Sequence, residues 1–344
     1  MYVRGGLAGR DVAWDSWAVI LIAGLWATLV VLIRITDWLP TIAVPRTAVS
    51  TMGIVVSVYL GFKSTSAYAR WWEARTVWGS IINDSRAWAN AALALVGPAD
   101  AIGGPDATAS RALVRRHLAW VNALAYQLRR TSVLKVSRVQ HVFDYRRADT
   151  HAIFTASPEC YRRHLPEGEA AEVEGRSNPA VHIARRQGSQ IAALLDGGAI
   201  DNNRAVELIA IQNRLIGYQG ACERIKNTPF PRQITYFGRI FTWIFIVLIP
   251  LGSFDAFIDE VARHLTAPAD QERFALIVIP FTIVVSWLFY MVEKVGESCE
   301  NPFEWGSTDV PIAALTRTIE IDLLELMGAE DIPAPLAPRD GVLY

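Results

Sequence analysis

Cysteine is scarce. Cys160, Cys222 and Cys299 are the only three in 344 residues, and no two form a CxxC pair. That excludes a disulfide framework and a cysteine-built zinc or redox site, and it predicts reduced thiols in a cytoplasmic compartment. Charge is scarce too: Asp, Glu, Lys and Arg make up 19% of the chain, against about a quarter in a soluble domain. Neither sign dominates, since 33 Lys and Arg face 34 Asp and Glu for a net charge of −1. Such a balance predicts no nucleic-acid partner and no long-range steering of ions. Catalytic signatures are missing as well, with no HExxH, no P-loop and no GxSxG. The six histidines (His117, His141, His151, His164, His182 and His264) show no ligand spacing. Gly5, Gly6 and Gly9 follow no strand, so they are not a dinucleotide fingerprint. Neither an enzyme nor a bound metal or cofactor is expected. Strand alternation and internal repeats are also wanting, which points to an all-α chain.

What is present is apolar. Hydrophobic residues reach 52%, mean hydropathy is +0.23, and there are twelve Trp. Four stretches match the roughly 20 residues that a helix needs to cross a hydrocarbon core. They are Trp14 to Ile35, Ala43 to Phe62, Tyr236 to Phe254 and Phe274 to Val292. The second is the most polar, with Ser50, Thr51, Gly53, Ser57 and Gly61. Trp14, Trp17 and Trp38 flank the first as interfacial anchors would. That stretch is too long for a signal-peptide core, and Arg34 and Trp38 follow it where small residues would mark a cleavage site. A retained helix is expected.

Basic residues cluster before the first stretch (Arg4, Arg10), after the second (Lys63, Arg70, Arg75), before the third (Arg224, Lys226, Arg232) and after the fourth (Lys294). By the positive-inside rule both termini and the central region face the cytoplasm. The loop between the third and fourth stretches is acidic (Asp255, Asp259, Glu260, Asp270, Glu272) and faces outward with its counterpart. The resulting organisation is a cytoplasmic N-terminus (1–13), a transmembrane hairpin (14–62), a cytoplasmic domain (63–234), a second hairpin (235–293), a cytoplasmic segment (294–328) and an extended tail (329–344). Within the cytoplasmic domain, helical spacing runs over 64–96, 110–130, 180–195 and 203–226. Gly97-Pro98, the GGPD loop (103–106) and GGAID (197–201) punctuate it, and 131–180 reads as mixed. Residues 311–328 add one more helix.

The second stretch has two stripes. Ile54, Val58 and Phe62 recur every four residues and share a face; Gly53, Ser57 and Gly61 form an adjacent small-residue seam. Small residues let helices approach closely in lipid, and an apolar ridge facing an axis would gate ions by dewetting. One helix cannot enclose a pore, so this reading needs a ring of copies. By spacing alone the ridge fits lipid or a packed neighbour equally well. Next comes Arg70-Trp71-Trp72-Glu73-Ala74-Arg75, three charges and two indoles just inside the membrane. It suits a snorkelling anchor as well as a functional element, and Glu73 can reach Arg70 along the helix.

SAYARWWEAR (66–75), WGSIINDSR (78–86), CERIKNTPFP (222–231), ENPFEWGSTDVP (300–311) and TIEIDLLEL (318–326) occur in that order. Together they resemble the bestrophin family in its bacterial branch, over about residues 10–328. Ala69 stands where the usual bacterial form has Asp, which removes a local ion pair. The resemblance implies a homopentamer in a bacterial inner membrane, each subunit giving four transmembrane helices and a helical cytoplasmic domain around one axial pore. It implies a hydrophobic neck on the second helix, at Ile54, Val58 and Phe62. It also implies a second, cytoplasmic constriction, which falls at Asn202, Asn203 and Arg204. Its partners would be the lipid bilayer and small inorganic ions that permeate passively, chloride and other anions foremost. A monovalent cation channel of the same family is the alternative. A secondary transporter is a remoter one, since Arg239 lies where it can snorkel and the two hairpins point the same way. Animal members carry a calcium clasp after Asn-Pro-Phe. Here only Glu304 and Asp309 follow Asn301-Pro302-Phe303, so no high-affinity calcium site is expected.

Overall fold

The computed structural model describes residues 1, 3, 9–36, 44–96, 107–130, 155, 157–262, 274–304, 306–339 and 341–344. The breaks expected at Gly97-Pro98 and 103–106, half of the mixed stretch, most of the acidic outer loop and the Trp38 anchor lie outside them. Among the described residues the regular structure is helical, apart from one isolated bridge between Arg339 and Val342. The helices are α1 (Gly9–Ile35), α2 (Arg46–Leu95), α3 (Ala107–Arg130), α4 (Glu159–Arg162), α5 (Glu167–Val173), α6 (Pro179–Asp196), α7 (Asn202–Asn227), α8 (Arg232–Ala262), α9 (Val278–Ser298) and α10 (Ile312–Leu326).

Local chemistry accounts for many of the ends. Asn178 caps α6 by accepting the Val181 N–H at 3.1 Å, and Pro179 opens the helix where its missing N–H costs nothing. Gly198, at φ +72°, takes the chain out of that helix in a conformation that only glycine adopts readily. Asp201 caps α7 through the Arg204 N–H at 2.9 Å, and Arg224 and Lys226 occupy its last turn, where the helix dipole favours cations. The short α4 and α5 both begin after a proline (Pro158, Pro166).

The chain divides into two compact units. One comprises Gly5–Ala69 and Phe230–Glu300, the other Met1–Arg4, Arg70–Pro229 and Asn301–Tyr344. In the first, α1, the start of α2, α8 and α9 meet in small apolar clusters. Val56 and Leu60 pack on Phe245 and Ile249, Val31 on Phe254 and Val278, and Val19 and Ala23 on Ile246. The helices approach closely where glycines face bulk: a Cβ on Gly252 would collide with the Val49 side chain. The apolar residues on the outside of this unit are many, including Leu21, Leu25, Leu29 and Leu32 of α1 and Val284 and Leu288 of α9. Among the described residues, four helices (Val12–Ile35, Arg46–Leu95, Arg232–Glu260 and Val278–Ser298) are long and apolar enough to cross a membrane.

The second unit has one large core. Trp78, Ile81 and Trp88 of α2 join Leu113, Leu118 and Leu124 of α3, Ile183 of α6, Leu208 and Leu215 of α7, and Ile319 and Leu323 of α10. The tail belongs to this unit. Val342 is buried, and the Ala314 N–H donates to the Tyr344 carbonyl at 2.8 Å.

Candidate pore-lining helix

α2 is a single 50-residue helix, about 75 Å long and more than twice the roughly 30 Å of a hydrocarbon core. The second apolar stretch and the helix that follows it are thus one element, with no break at Lys63. Lys63 does not mark a solvated end. Its side chain is fully buried, and its Nζ lies 2.9 Å from Glu293 Oε1 and 3.3 Å from Glu300 Oε1. Thr235 Oγ1 donates to the same Glu300 oxygen at 2.8 Å. Desolvation pushes the Glu300 carboxyl above its ordinary value, against the pull of Lys63.

In the first unit the buried side of α2 is one stripe of Val49, Gly53, Val56, Leu60, Lys63 and Ala67. In the second unit Ala74, Trp78, Ile81, Ser85, Trp88 and Ala92 are buried. At 100° per residue, Ile54, Val58 and Phe62 lie opposite the stripe in the first unit. They are 66%, 53% and 73% exposed. The small-residue seam divides. Gly53 is closed by its own chain, since a Cβ there would lie 2.9 Å from Phe245 Cζ. Ser57 and Gly61 are exposed, and nothing stands within 4 Å of a Cβ on Gly61. Ser57 Oγ donates to the Gly53 carbonyl at 2.7 Å.

Past the ridge, the Arg-Trp-Trp-Glu run divides its side chains between neighbours. Arg70 donates to the Ile225 carbonyl and Trp71 Nε1 to the Thr308 carbonyl, the latter at 2.9 Å. Glu73 pairs with Arg224, Trp72 is exposed and Arg75 is half-buried. Asn202 and Asn203 are exposed in the first turn of α7. Arg204 donates to the Leu95 carbonyl at 3.2 Å, and its Nε lies 3.3 Å from Asp201.

The acids after Asn301-Pro302-Phe303 are engaged elsewhere. Glu304 is buried 2.6 Å from Lys226 Nζ, and Asp309 accepts the Gly306 N–H at 2.9 Å. Burial pushes the Asp309 carboxyl up to about 6, against that hydrogen bond and the nearby Arg129 guanidinium. Calcium takes six to eight oxygens, so a segment with one acid on a lysine and one on the backbone does not fit it. No group of three or more His, Cys, Asp or Glu among the described residues could hold a metal ion.

A family model described as Bacterial/Fungal Bestrophin protein matches residues 10–325. The chain belongs to the bestrophin family. Among its relatives, the voltage-dependent anion channel-forming protein mll4386 of Mesorhizobium japonicum is 27% identical over 296 residues, covering 84% of this chain and 77% of the relative. RSc3414 of Ralstonia nicotianae, named in the same words, is 27% identical over 308 residues, covering 89% and 85%. The crystal structure of a bacterial bestrophin homolog from Klebsiella pneumoniae superposes with a TM-score of 0.72 at 21% identity, covering 91% of this chain and 98% of that one. It shares the all-helical fold. The bestrophin family is one of ion channels and not of enzymes. With four described helices long and apolar enough to cross a membrane, this member is a membrane protein.

Proposed function

We propose that the chain assembles as a homopentamer around one axial conduit and conducts small inorganic anions passively, chloride foremost. Ile54, Val58 and Phe62 form its hydrophobic neck. The observation that carries this reading is their exposure on the side of α2 opposite the residues it buries in the first unit. An apolar ridge that none of the described residues covers needs either lipid or other copies of itself, and the relatives named as anion channel-forming proteins favour the copies. Ser57 and Gly61, exposed beside the ridge, are the surfaces on which adjacent α2 helices would close up. A neck without charge gates by dewetting and selects little by sign. Asn202, Asn203 and Arg204 form the cytoplasmic constriction, where Asp201 shares the charge of Arg204 and weakens its preference for anions. Both termini and the Arg70–Pro229 region face the cytoplasm of a bacterial inner membrane, with the short loops outside, as the basic flanks require.

Planar-bilayer recording under a KCl gradient tests this. Currents reversing at the chloride potential are expected. Reversal at the potassium potential would replace chloride by cations, and a silent protein would overturn the channel reading. Replacing Ile54, Val58 and Phe62 together by Ala should raise conductance or open probability. Unchanged currents would contradict the neck assignment.

A further inference from the structure

Below the neck, a stripe of uncharged residues continues along the exposed side of α2, with Arg86, paired with Asp322, on one flank. Phe62, Ala69, Thr76, Asn83 and Asn90 stand seven residues apart, and all five are exposed. A straight helix drifts only about 20° per seven residues, so they keep to one side. Two carboxylates border this stripe. Glu73 lies one turn before Thr76, and Asp84 lies eleven residues on, close to three whole turns, so both edge the same flank. Each is met by an arginine of α7. Arg224 pairs with Glu73, and Arg214 grips Asp84 through Nε at 2.9 Å and Nη2 at 3.3 Å.

The Arg224–Glu73 pair is placed badly for stability. Its side chains are 66% and 47% exposed, and exposed ion pairs of this kind stabilise a fold little. In the other pair Arg214 is 47% exposed and Asp84 17%, so it also ties α2 to α7. What both pairs change is the local potential beside the stripe. We infer that Arg214 and Arg224 are selectivity-determining residues: by neutralising Asp84 and Glu73 they keep the cytoplasmic part of the conduit from presenting rings of uncompensated carboxylate to permeating ions. This rests on the channel reading above, with α2 lining the conduit. A ring of acids attracts cations and repels anions from a confined aqueous path, so the sign of conduction would turn on two arginines that never touch the neck.

The test is reversal-potential recording under a KCl gradient on the full-length protein and two double variants. R214Q/R224Q exposes both acids and should move the reversal potential towards that of potassium, with a several-fold rise in the potassium-to-chloride permeability ratio. E73Q/D84N leaves both arginines without partners and should move it the opposite way. Should R214Q/R224Q fail to assemble, E73Q/D84N alone decides. Variants that conduct with the wild-type reversal potential would overturn the inference while leaving the channel reading intact. Loss of assembly in both would overturn it too, by making the pairs structural. A wild type that passes no current would show instead that the channel reading had failed, before any variant was measured.

Discussion

His117 sits between two indoles, its ring 5.3 Å from that of Trp120 and 6.0 Å from that of Trp88, with Nε2 2.9 Å from Ser85 Oγ. Burial holds it neutral and lowers its pKa to about 3. An unfolded histidine takes up its proton near pH 6.5. The site's full contribution is therefore present above pH 6.5 and is lost as pH falls towards 3, by about 2 kcal/mol at pH 5. Asp309 works the other way, because a raised carboxyl pKa favours the folded state as pH falls from about 6. Thermal unfolding of the wild type and His117→Phe at pH 7.5 and at about pH 5 separates the two. The variant should lose less stability on acidification, and equal losses would mean that His117 is protonated in the fold. Glu223 shows what sequence could not supply at this scale. Its Oε1 accepts from Gln219 one turn earlier on α7, a pair that helical spacing supplies, but also from Gln127 and Asn178, which no spacing rule would bring to it.

Among the elements, α2 was the most legible and also the most misleading. Four-residue spacing singled out Ile54, Val58 and Phe62, and the buried stripe opposite them follows the same period. The element's length was missed, because Lys63 reads as a charged membrane boundary until Glu293 and Glu300 are seen beside it. Those partners lie some 230 residues away and leave no local mark. The small-residue seam reads as uniform, yet Phe245 claims Gly53 and leaves Gly61 open. Short α4 and α5 were lost in a stretch rich in proline, since helices of four and seven residues carry too little periodicity to be recognised. Two outcomes follow at this scale. Lys63→Met should lower stability by roughly 3–5 kcal/mol, because it strands two buried carboxylates; calorimetry in detergent that finds no loss would mean that these acids are protonated or solvated. Gly53→Val should destabilise the subunit by about 1–3 kcal/mol through overpacking against Phe245. Gly61→Val should spare the subunit and weaken assembly, as read by native mass spectrometry.

At the scale of the whole molecule, composition already set the class. Few charges, few cysteines and many apolar residues imply a membrane protein with a polar helical part, and the chain divides into two compact units. What one chain cannot hold is the conduit itself. α2 presents its ridge away from its own subunit, and a helix encloses nothing alone. The account therefore stands on symmetry, and electron cryomicroscopy of the protein in lipid nanodiscs tests that most directly. It should show a closed ring of five subunits with Ile54, Val58 and Phe62 lining the axis at its narrowest point in the bilayer. Isolated subunits, or a ring with that ridge against the acyl chains, would contradict it.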